Sequence, residues 1–168
     1  MITIRPLCPD DAERFKSLRV LAAETAPASI WPTPDEELAR PIEHMQARIE
    51  TTPVQTVFGA FDGEVLAGIT GVRREPLLKV SHKATIWGVF VNPAYRGRGI
   101  AQALLTAASN HASESWHVVQ LMLCVNAENV AAKNLYLSQG FRTFGVEPRA
   151  MRVGDRFYDE EHMCKPLR

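Results

Sequence analysis

Hydrophobic residues follow two periods along the chain, and each period predicts a different element. Alternating or continuous apolar runs predict strands at residues 2–5, 54–61, 64–73, 85–91, 118–125, 142–152 and 156–163. Apolar residues three or four positions apart predict helices, one beginning at Pro9 and others at 33–50, 100–111 and 129–139. We expect Pro41 to kink the second helix or divide it in two.

The order of these elements is β-α-α-β-β-β-α-β-α-β-β. Strands that follow one another directly favour antiparallel pairing, whereas the pair 85–91 and 118–125, joined through a helix, favours a parallel crossover. The sequence therefore predicts an α/β (α+β) fold, with a mixed, mostly antiparallel twisted sheet and helices on both faces. At 168 residues, the chain is most simply one domain, 1–168.

A turn rich in glycine and arginine joins the strand 85–91 to the next helix. We call residues 96–101 the glycine–arginine loop; they read Arg-Gly-Arg-Gly-Ile-Ala. A helix N-terminus offers unpaired N–H groups, glycines let an anion approach them, and arginines add positive charge. This arrangement is suited to holding a phosphate group.

Two common phosphate-binding motifs are disfavoured here. A P-loop ends in Gly-Lys-Ser/Thr, and that sequence does not occur in this chain. A dinucleotide fingerprint needs three glycines directly after a strand, but Gln102 occupies the third position after Gly97 and Gly99.

The same stretch resembles the acetyl-CoA loop of the GNAT acetyltransferase superfamily. The family pattern Gln/Arg-x-x-Gly-x-Gly/Ala is met by Arg96, Gly99 and Ala101, after a typical Asn-Pro-x-Tyr-Arg lead-in. By this resemblance the loop amides would hold the CoA pyrophosphate and the preceding strand would pair with the pantetheine arm. The resemblance thus implies cofactor-binding roles for Val89, Val91, Arg96, Gly97, Arg98, Gly99, Ile100 and Ala101.

A second GNAT signature is found further along the chain. Residues 129–141 match the pattern Asn-x-x-Ala-x-x-Leu-Tyr-x-x-x-Gly-Phe. The resemblance implies that Asn129 contacts the pantetheine region and that Tyr136 lies beside the CoA sulfur, where it would protonate the departing thiolate. On spacing alone, a half-buried packing role for Tyr136 is the simpler interpretation. The two signatures in the expected order favour the catalytic one.

The implied reaction is transfer of an acetyl group from acetyl-CoA to the primary amine of a small molecule or amino-acid-like acceptor, by direct attack in a ternary complex. Acetylation of a protein N-terminus or lysine is an alternative. A non-catalytic acyl-CoA-binding sensor is another, although the presence of Tyr136 disfavours it. Neither the acceptor nor the range of acyl groups is predicted by any signature.

The general base is not assigned by the sequence. Some GNAT enzymes carry a glutamate on the strand before the loop, at the position where this chain has Trp87. His82, Glu24 and Glu37 are weaker candidates. The acidic run 159–161 would attract a cationic substrate, but a solvated edge strand is the simpler explanation.

Composition narrows the remaining possibilities. Nineteen basic and nineteen acidic residues give no net charge, so we expect no nucleic acid or membrane partner; a homodimer is left open. Three scattered cysteines and an N-terminus without a signal peptide favour a cytoplasmic protein without disulfides, with Cys124 as a small core residue. The histidines show no metal-ligand spacing, and we predict no metal.

Overall fold

Seven strands form one continuous sheet in the computed structural model, which describes the whole chain from Met1 to Arg168. The strands are β1 (Ile2–Pro6), β2 (Gln55–Asp62), β3 (Val65–Arg74), β4 (Lys83–Val91), β5 (Gln120–Asn126), β6 (Arg142–Val153) and β7 (Arg156–Pro166). Their spatial order is β1-β2-β3-β4-β5-β7-β6. Only β4 and β5 pair in parallel; every other pair is antiparallel. The mixed, mostly antiparallel sheet is confirmed.

Five helices connect these strands. They are α1 (Ala12–Thr25), α2 (Pro34–Ala39), α3 (Ile42–Ile49), α4 (Ile100–Glu114) and α5 (Val130–Ser138). Pro41 divides the helix predicted at 33–50 into α2 and α3, because a proline at this point cannot supply the N–H of a continuing helix. None of the helices combines the length and apolar character needed to span a membrane.

The sheet is covered on both faces, and each face has its own core. On one face, Leu104 and Leu105 of α4 pack with Phe141 and other buried residues. On the other, Phe15 of α1 and Met45 of α3 belong to a second buried cluster. The six central residues of β2 are consequently all buried, because both faces of this strand are covered.

The acidic run at 159–161 lies on an interior strand, and the edge-strand interpretation was wrong. β7 is paired with β5 on one side and with β6 on the other, so β6 forms the edge of the sheet. Glu160 is only 4% exposed, and the Glu161 carboxylate lies 2.6 Å from Lys133 Nζ. The sequence pattern did not reveal that β7 inserts between β5 and β6.

Candidate active site

A gap in the sheet separates β4 from β5. The two strands pair only at their beginnings, where residues 83–85 face residues 120–122. Beyond Thr85 the strands diverge, and the backbone groups of β4 that point towards β5 have no strand to pair with. An unpaired strand edge inside a covered sheet is a place where an extended ligand can form main-chain hydrogen bonds.

A bulge at Gly88 shapes the β4 side of this gap. The register with β3 shifts between Trp87, which faces Gly71, and Phe90, which faces Ile69. Gly88 has a φ of 65°, a conformation that residues with a side chain rarely adopt. The bulge bends β4 away from β5 where the gap opens.

The gap opens into a cavity of about 850 Å³. Its walls include residues 85–89 of β4, residues 123–126 of β5 and residues 28–32 of the connection between α1 and α2. This connection is held in place by the Asn126 side chain, whose Nδ2 donates to the carbonyl of Ala28 at 2.8 Å. A cavity of this size is large enough for a small-molecule substrate.

The glycine–arginine loop follows β4 at the end where the gap is open. Gly99 is the N-cap of α4 with φ 72°, and Gly97 has φ 75°. A Cβ built on either glycine would have no neighbouring atom within 4 Å. The first amides of α4 have no partner inside the helix, and no side chain caps them. The loop therefore presents backbone donors to open space.

The two arginines of this loop are exposed. Arg96 Nε lies 3.4 Å from the carbonyl of Val91, and the Arg98 guanidinium lies 5.1 Å from the centre of the Tyr95 ring. Neither forms a salt bridge with a carboxylate, so both charges are available to an anion. Among the predicted strand residues, Val89 lines the cavity, whereas Val91 pairs with Gly68 of β3 outside its walls.

Helix α5 supplies the other side of the gap. Asn129 is its N-cap, with Oδ1 accepting from the Ala132 amide at 3.1 Å and Nδ2 donating to Ser29 Oγ at 3.3 Å. Tyr136 lies further along the helix, is 7% exposed and lines the cavity. Burial raises the pKa of the Tyr136 hydroxyl to about 12. The hydroxyl therefore carries its proton at neutral pH and can act as an acid.

Glu160 brings a buried carboxylate to the same cavity. Its Oε1 accepts a hydrogen bond from Trp31 Nε1 at 3.0 Å, while its Oε2 is buried with no hydrogen-bond partner. Glu36 also lines the cavity, but its carboxylate caps the Thr33 amide at 2.8 Å. Of the two carboxylates in the cavity wall, Glu160 is the buried one, with an oxygen that has no hydrogen-bond partner, whereas Glu36 is exposed.

The three weaker candidates for a general base lie away from this position. His82 is exposed at the beginning of β4, and Glu24 is exposed near the end of α1; neither lines the cavity. Glu37 is fully buried, and its Oε1 accepts from Arg19 Nε at 3.0 Å and Nη2 at 2.7 Å. The glutamate is therefore held in an ion pair and has no access to the cavity.

Cys124 is exposed and lines the cavity, so its predicted core position was wrong. In β5, residues 121, 123 and 125 point into the core and Cys124 points to the opposite face. An apolar run does not indicate which of its residues face a cavity. No group of three or more His, Cys, Asp or Glu side chains is arranged to hold a metal ion.

Sequence reasoning missed several residues of the cavity wall, including Arg19, Arg48 and Glu160. Two of them could have been found. Arg19 falls four residues after Phe15, and Arg48 falls three residues after Met45, so each occupies the apolar stripe of its helix. A charge on a buried stripe is a signal of function or of a buried ion pair.

A model of the acetyltransferase (GNAT) family matches residues 17–141, which is most of the chain. The chain belongs to this family.

Two relatives are similar over most of their length. N-alpha-acetyltransferase RimI of Mycobacterium tuberculosis is 32% identical over 155 residues, covering 90% of this chain and 85% of that protein. L-amino acid N-acetyltransferase AaaT of Escherichia coli is 27% identical over 133 residues, covering 77% and 80%. The match to L-2,4-diaminobutyric acid acetyltransferase of Streptomyces anulatus spans only 59% of that protein.

Solved structures share the fold. A GNAT acetyltransferase from Streptococcus pneumoniae superposes with a TM-score of 0.89 at 24% identity, covering 99% of this chain and 100% of that one. The yncA protein of Salmonella typhimurium, solved with its cofactor acetyl-CoA, gives a TM-score of 0.83 at 20% identity, covering 100% and 95%. The GNAT fold therefore extends over the entire chain.

Proposed function

We propose that the chain, acting as one domain over residues 1–168, transfers the acetyl group of acetyl-CoA to the primary amine of a small, amino-acid-like molecule. The observation that carries the proposal is the gap between β4 and β5, which opens beside Tyr136 at one side and at the glycine–arginine loop at its end. A family relative, AaaT, is an L-amino acid N-acetyltransferase, which agrees with an acceptor of this class.

The residues around the gap fit the chemistry of acetyl-CoA. The unpaired edge of β4, at Val89 and Val91, would pair with the amides of the pantetheine arm. The open amides from Gly97 to Ala101, with the charges of Arg96 and Arg98, would hold the pyrophosphate. Asn129 borders the cavity from the N-terminus of α5 and would contact the arm between these ends.

Two groups in the cavity can move the protons of the reaction. The neutral amine attacks the thioester carbonyl carbon, a C–N bond forms and the C–S bond breaks. Tyr136 donates its proton to the leaving thiolate, and Glu160 accepts the proton that the amine must lose. Tyr136 remains protonated at neutral pH, and Glu160 has an oxygen without a hydrogen-bond partner, so each offers the atom that its role requires.

The type of amine decides how much help the base must give. An α-amine with a pKa near 8 is neutral at pH 7 at a cost of about 1.4 kcal/mol, whereas a lysine-like amine with a pKa near 10.4 costs about 4.6 kcal/mol. A thiol with a pKa near 8.5 leaves readily, so the acid contributes less than the base. One buried carboxylate is therefore better matched to an α-amine than to a lysine side chain.

A protein N-terminus is the second candidate acceptor. The relative RimI, an N-alpha-acetyltransferase, is 32% identical over 90% of this chain, which favours it. A peptide N-terminus also carries an α-amine, so proton transfer does not separate the two acceptors. They differ in the carboxylate next to the amine, which a free amino acid has and a peptide N-terminus lacks.

The proposal is tested by the release of free thiol from acetyl-CoA in the presence of amines, amino acids, polyamines and short peptides. We expect release that depends on acceptor and is greatest with amino acids. Greater release with peptides would support the RimI-like alternative. Calorimetric binding of acetyl-CoA without release for any acceptor would contradict the enzyme and favour a sensor of acyl-CoA.

A further inference from the structure

A cluster of four arginines lines the cavity on the side away from α5. Arg19 comes from α1, Arg40 follows α2, Arg48 comes from α3 and Arg73 from β3. Four elements that are distant in sequence therefore bring positive charge to one wall. Since like charges repel, such a cluster favours an anion close to it.

The protein itself supplies one buried anion to this cluster, and two of the arginines use it. Glu37 forms two hydrogen bonds with Arg19, and its Oε2 lies 3.9 Å from Arg40 Nε. Arg48 and Arg73 form no salt bridge with any carboxylate. The wall therefore keeps an excess of positive charge after the internal ion pair is counted.

Arg48 contacts an aromatic ring and lacks a hydrogen-bond acceptor. Its guanidinium carbon lies 4.6 Å from the centre of the Trp87 ring, within cation–π distance. Its Nη1 is buried and has no hydrogen-bond partner. Burial and the charges of Arg19, Arg40 and Arg73 lower the pKa of Arg48 to about 10. A charged donor buried without an acceptor is costly unless a ligand completes it.

The phosphates of acetyl-CoA are not suited to be this ligand. Arg73 faces Thr85 in the register of β3 and β4, at the end where β4 still pairs with β5. The glycine–arginine loop begins beyond Val91, at the other end of the strand. Val91 lies six positions after Thr85, which is about 20 Å of strand at 3.3 Å per residue. The arginine cluster in the cavity and the glycine–arginine loop are thus two separate regions that favour anions.

We propose that Arg48, assisted by Arg73, binds a carboxylate of the acetyl acceptor, so that the acceptor is an anionic amine such as a free amino acid. This inference rests on the proposed function and adds the chemical class of the substrate. The planar guanidinium presents paired N–H donors that match the two oxygens of a carboxylate. Glu160 lines the same cavity and offers a negative charge to the ammonium group of the acceptor.

The test compares an amino acid with its carboxamide, which lacks the carboxylate charge. The amino acid with the greatest thiol release is assayed against its own carboxamide, with wild-type protein, Arg48→Gln and Arg14→Gln. Arg14 lies on α1 and pairs with Glu64 outside the cavity, so its replacement is the matched control. The amine of the carboxamide is less basic, so a larger fraction of it is neutral at pH 7. This difference favours the amide, and a preference for the acid therefore cannot result from it.

We expect wild-type kcat/KM to favour the acid over the amide on the order of 100-fold, because an unfilled buried donor discriminates strongly against a ligand without the acceptor. Arg48→Gln should remove most of this preference through a higher KM for the acid, leave the amide nearly unchanged, and keep the wild-type KM for acetyl-CoA. Arg14→Gln should keep the preference, and Arg48→Lys should restore part of it.

Equal use of acid and amide by the wild type would overturn the inference while leaving the acetyltransferase proposal standing. The same would follow if Arg48→Gln lowered both substrates equally. If no acceptor releases thiol, the proposed function fails, and the anion site is tested alone by calorimetry of the amino acid and its amide in the presence of CoA. Equal affinity of the two compounds would then overturn it as well.

Discussion

Gly71 faces Trp87 across β3 and β4, and the indole ring occupies the space that a side chain on Gly71 would fill. The other partner of the ring is the Arg48 guanidinium, 4.6 Å from its centre. The absence of a Cβ at residue 71 thus leaves room for the Trp87 ring, which in turn contacts the Arg48 guanidinium. Some family members carry a glutamate at the position of Trp87. In this chain the same strand position carries an aromatic ring that contacts an arginine.

We predict that Gly71→Ala displaces the Trp87 ring. The added methyl group should lower the free energy of unfolding by about 1–3 kcal/mol, as expected for an overpacked site, and raise the KM for the acceptor. Chemical denaturation and steady-state kinetics measure the two effects. Gly145→Ala is the control, because a Cβ there has no neighbour within 4 Å. If Gly71→Ala left the KM for the acceptor unchanged, the position of the Trp87 ring would have no role in binding the acceptor.

Tyr136→Phe should lower kcat while leaving the affinity for acetyl-CoA nearly intact, because it removes the acid and keeps the ring. We expect a loss of roughly 10–100-fold, towards the lower end of proton-transfer effects, since the thiol leaves readily. The wild-type rate should show no alkaline decline due to Tyr136 below its pKa of about 12. Tyr158→Phe, which changes a tyrosine of β7 outside the cavity wall, is the control. Unchanged turnover in Tyr136→Phe would show that Tyr136 is not the proton donor of the reaction.

Glu160→Gln tests the proton acceptor. The amide keeps the acceptor oxygen for Trp31 but cannot take up a proton, so kcat at pH 7 should fall on the order of 100-fold. Raising the pH to 9 should recover part of this loss, because an α-amine with a pKa near 8 then loses its proton to solvent. Asp159→Asn, at the exposed neighbouring position, should have little effect. A loss that is independent of pH would assign Glu160 a purely structural role.

Gly99→Glu should abolish binding of acetyl-CoA, because it places bulk and negative charge where we propose the pyrophosphate to lie. Gly63→Glu is a matched control. Both glycines have positive φ and open space at Cβ, so the conformational strain is similar, but Gly63 lies in the turn between β2 and β3. Calorimetry measures the affinity. Wild-type affinity in Gly99→Glu would show that the phosphates bind elsewhere.

Asp11 anchors the beginning of α1 and should make stability depend on pH. Hydrogen bonds from Arg5 at 2.7 and 2.9 Å, followed by the Cys8 amide, lower the pKa of this buried carboxyl below its ordinary value. The stabilisation is therefore present above the unfolded-state pKa of about 3.9 and is lost as the pH falls through the lower folded-state value. We expect Asp11→Asn to cost about 2 kcal/mol at pH 7.

Urea denaturation at pH 7, 5 and 3 measures this effect. The difference between wild type and Asp11→Asn should narrow as the pH falls towards 3, because the Asp11 carboxyl of the unfolded chain then takes up a proton while the folded one stays charged, which favours unfolding. Asp10→Asn is the control, since Asp10 is exposed and forms no side-chain hydrogen bond. A difference that stays constant with pH would contradict the ion-pair explanation.

Most of the fold could be predicted because its elements carry local signals. Asp-Gly is a strong local signal for a hairpin, and Asp62-Gly63 lies in the turn between β2 and β3. Thr33 and Glu36 form a capping box at the beginning of α2. Gly140 follows α5 with a positive φ of 94°, as is common for a glycine that ends a helix. The sheet order could not be derived this way, since the insertion of β7 between β5 and β6 depends on long-range pairing.

In the candidate site too, the local segments could be predicted from the sequence and the parts assembled from distant residues could not. The glycine–arginine loop and α5 are continuous segments, so their residues could be named from the sequence. The acceptor wall is assembled from side chains such as Arg19, Arg48 and Glu160, which lie far apart in the chain. Only folding brings these three side chains together, and the sequence around each of them contains no recognisable motif.

The divergence of β4 and β5 also has a mechanical consequence. β4 and β5 pair at only three positions, and this short stretch joins the part of the sheet built from β1–β4 to the part built from β5–β7. A cosubstrate arm in the gap would act as a missing strand and close this seam along its full length. Binding of acetyl-CoA would then also stabilise the contact between the two parts of the sheet. The enzyme would therefore become more rigid each time it binds its acetyl donor.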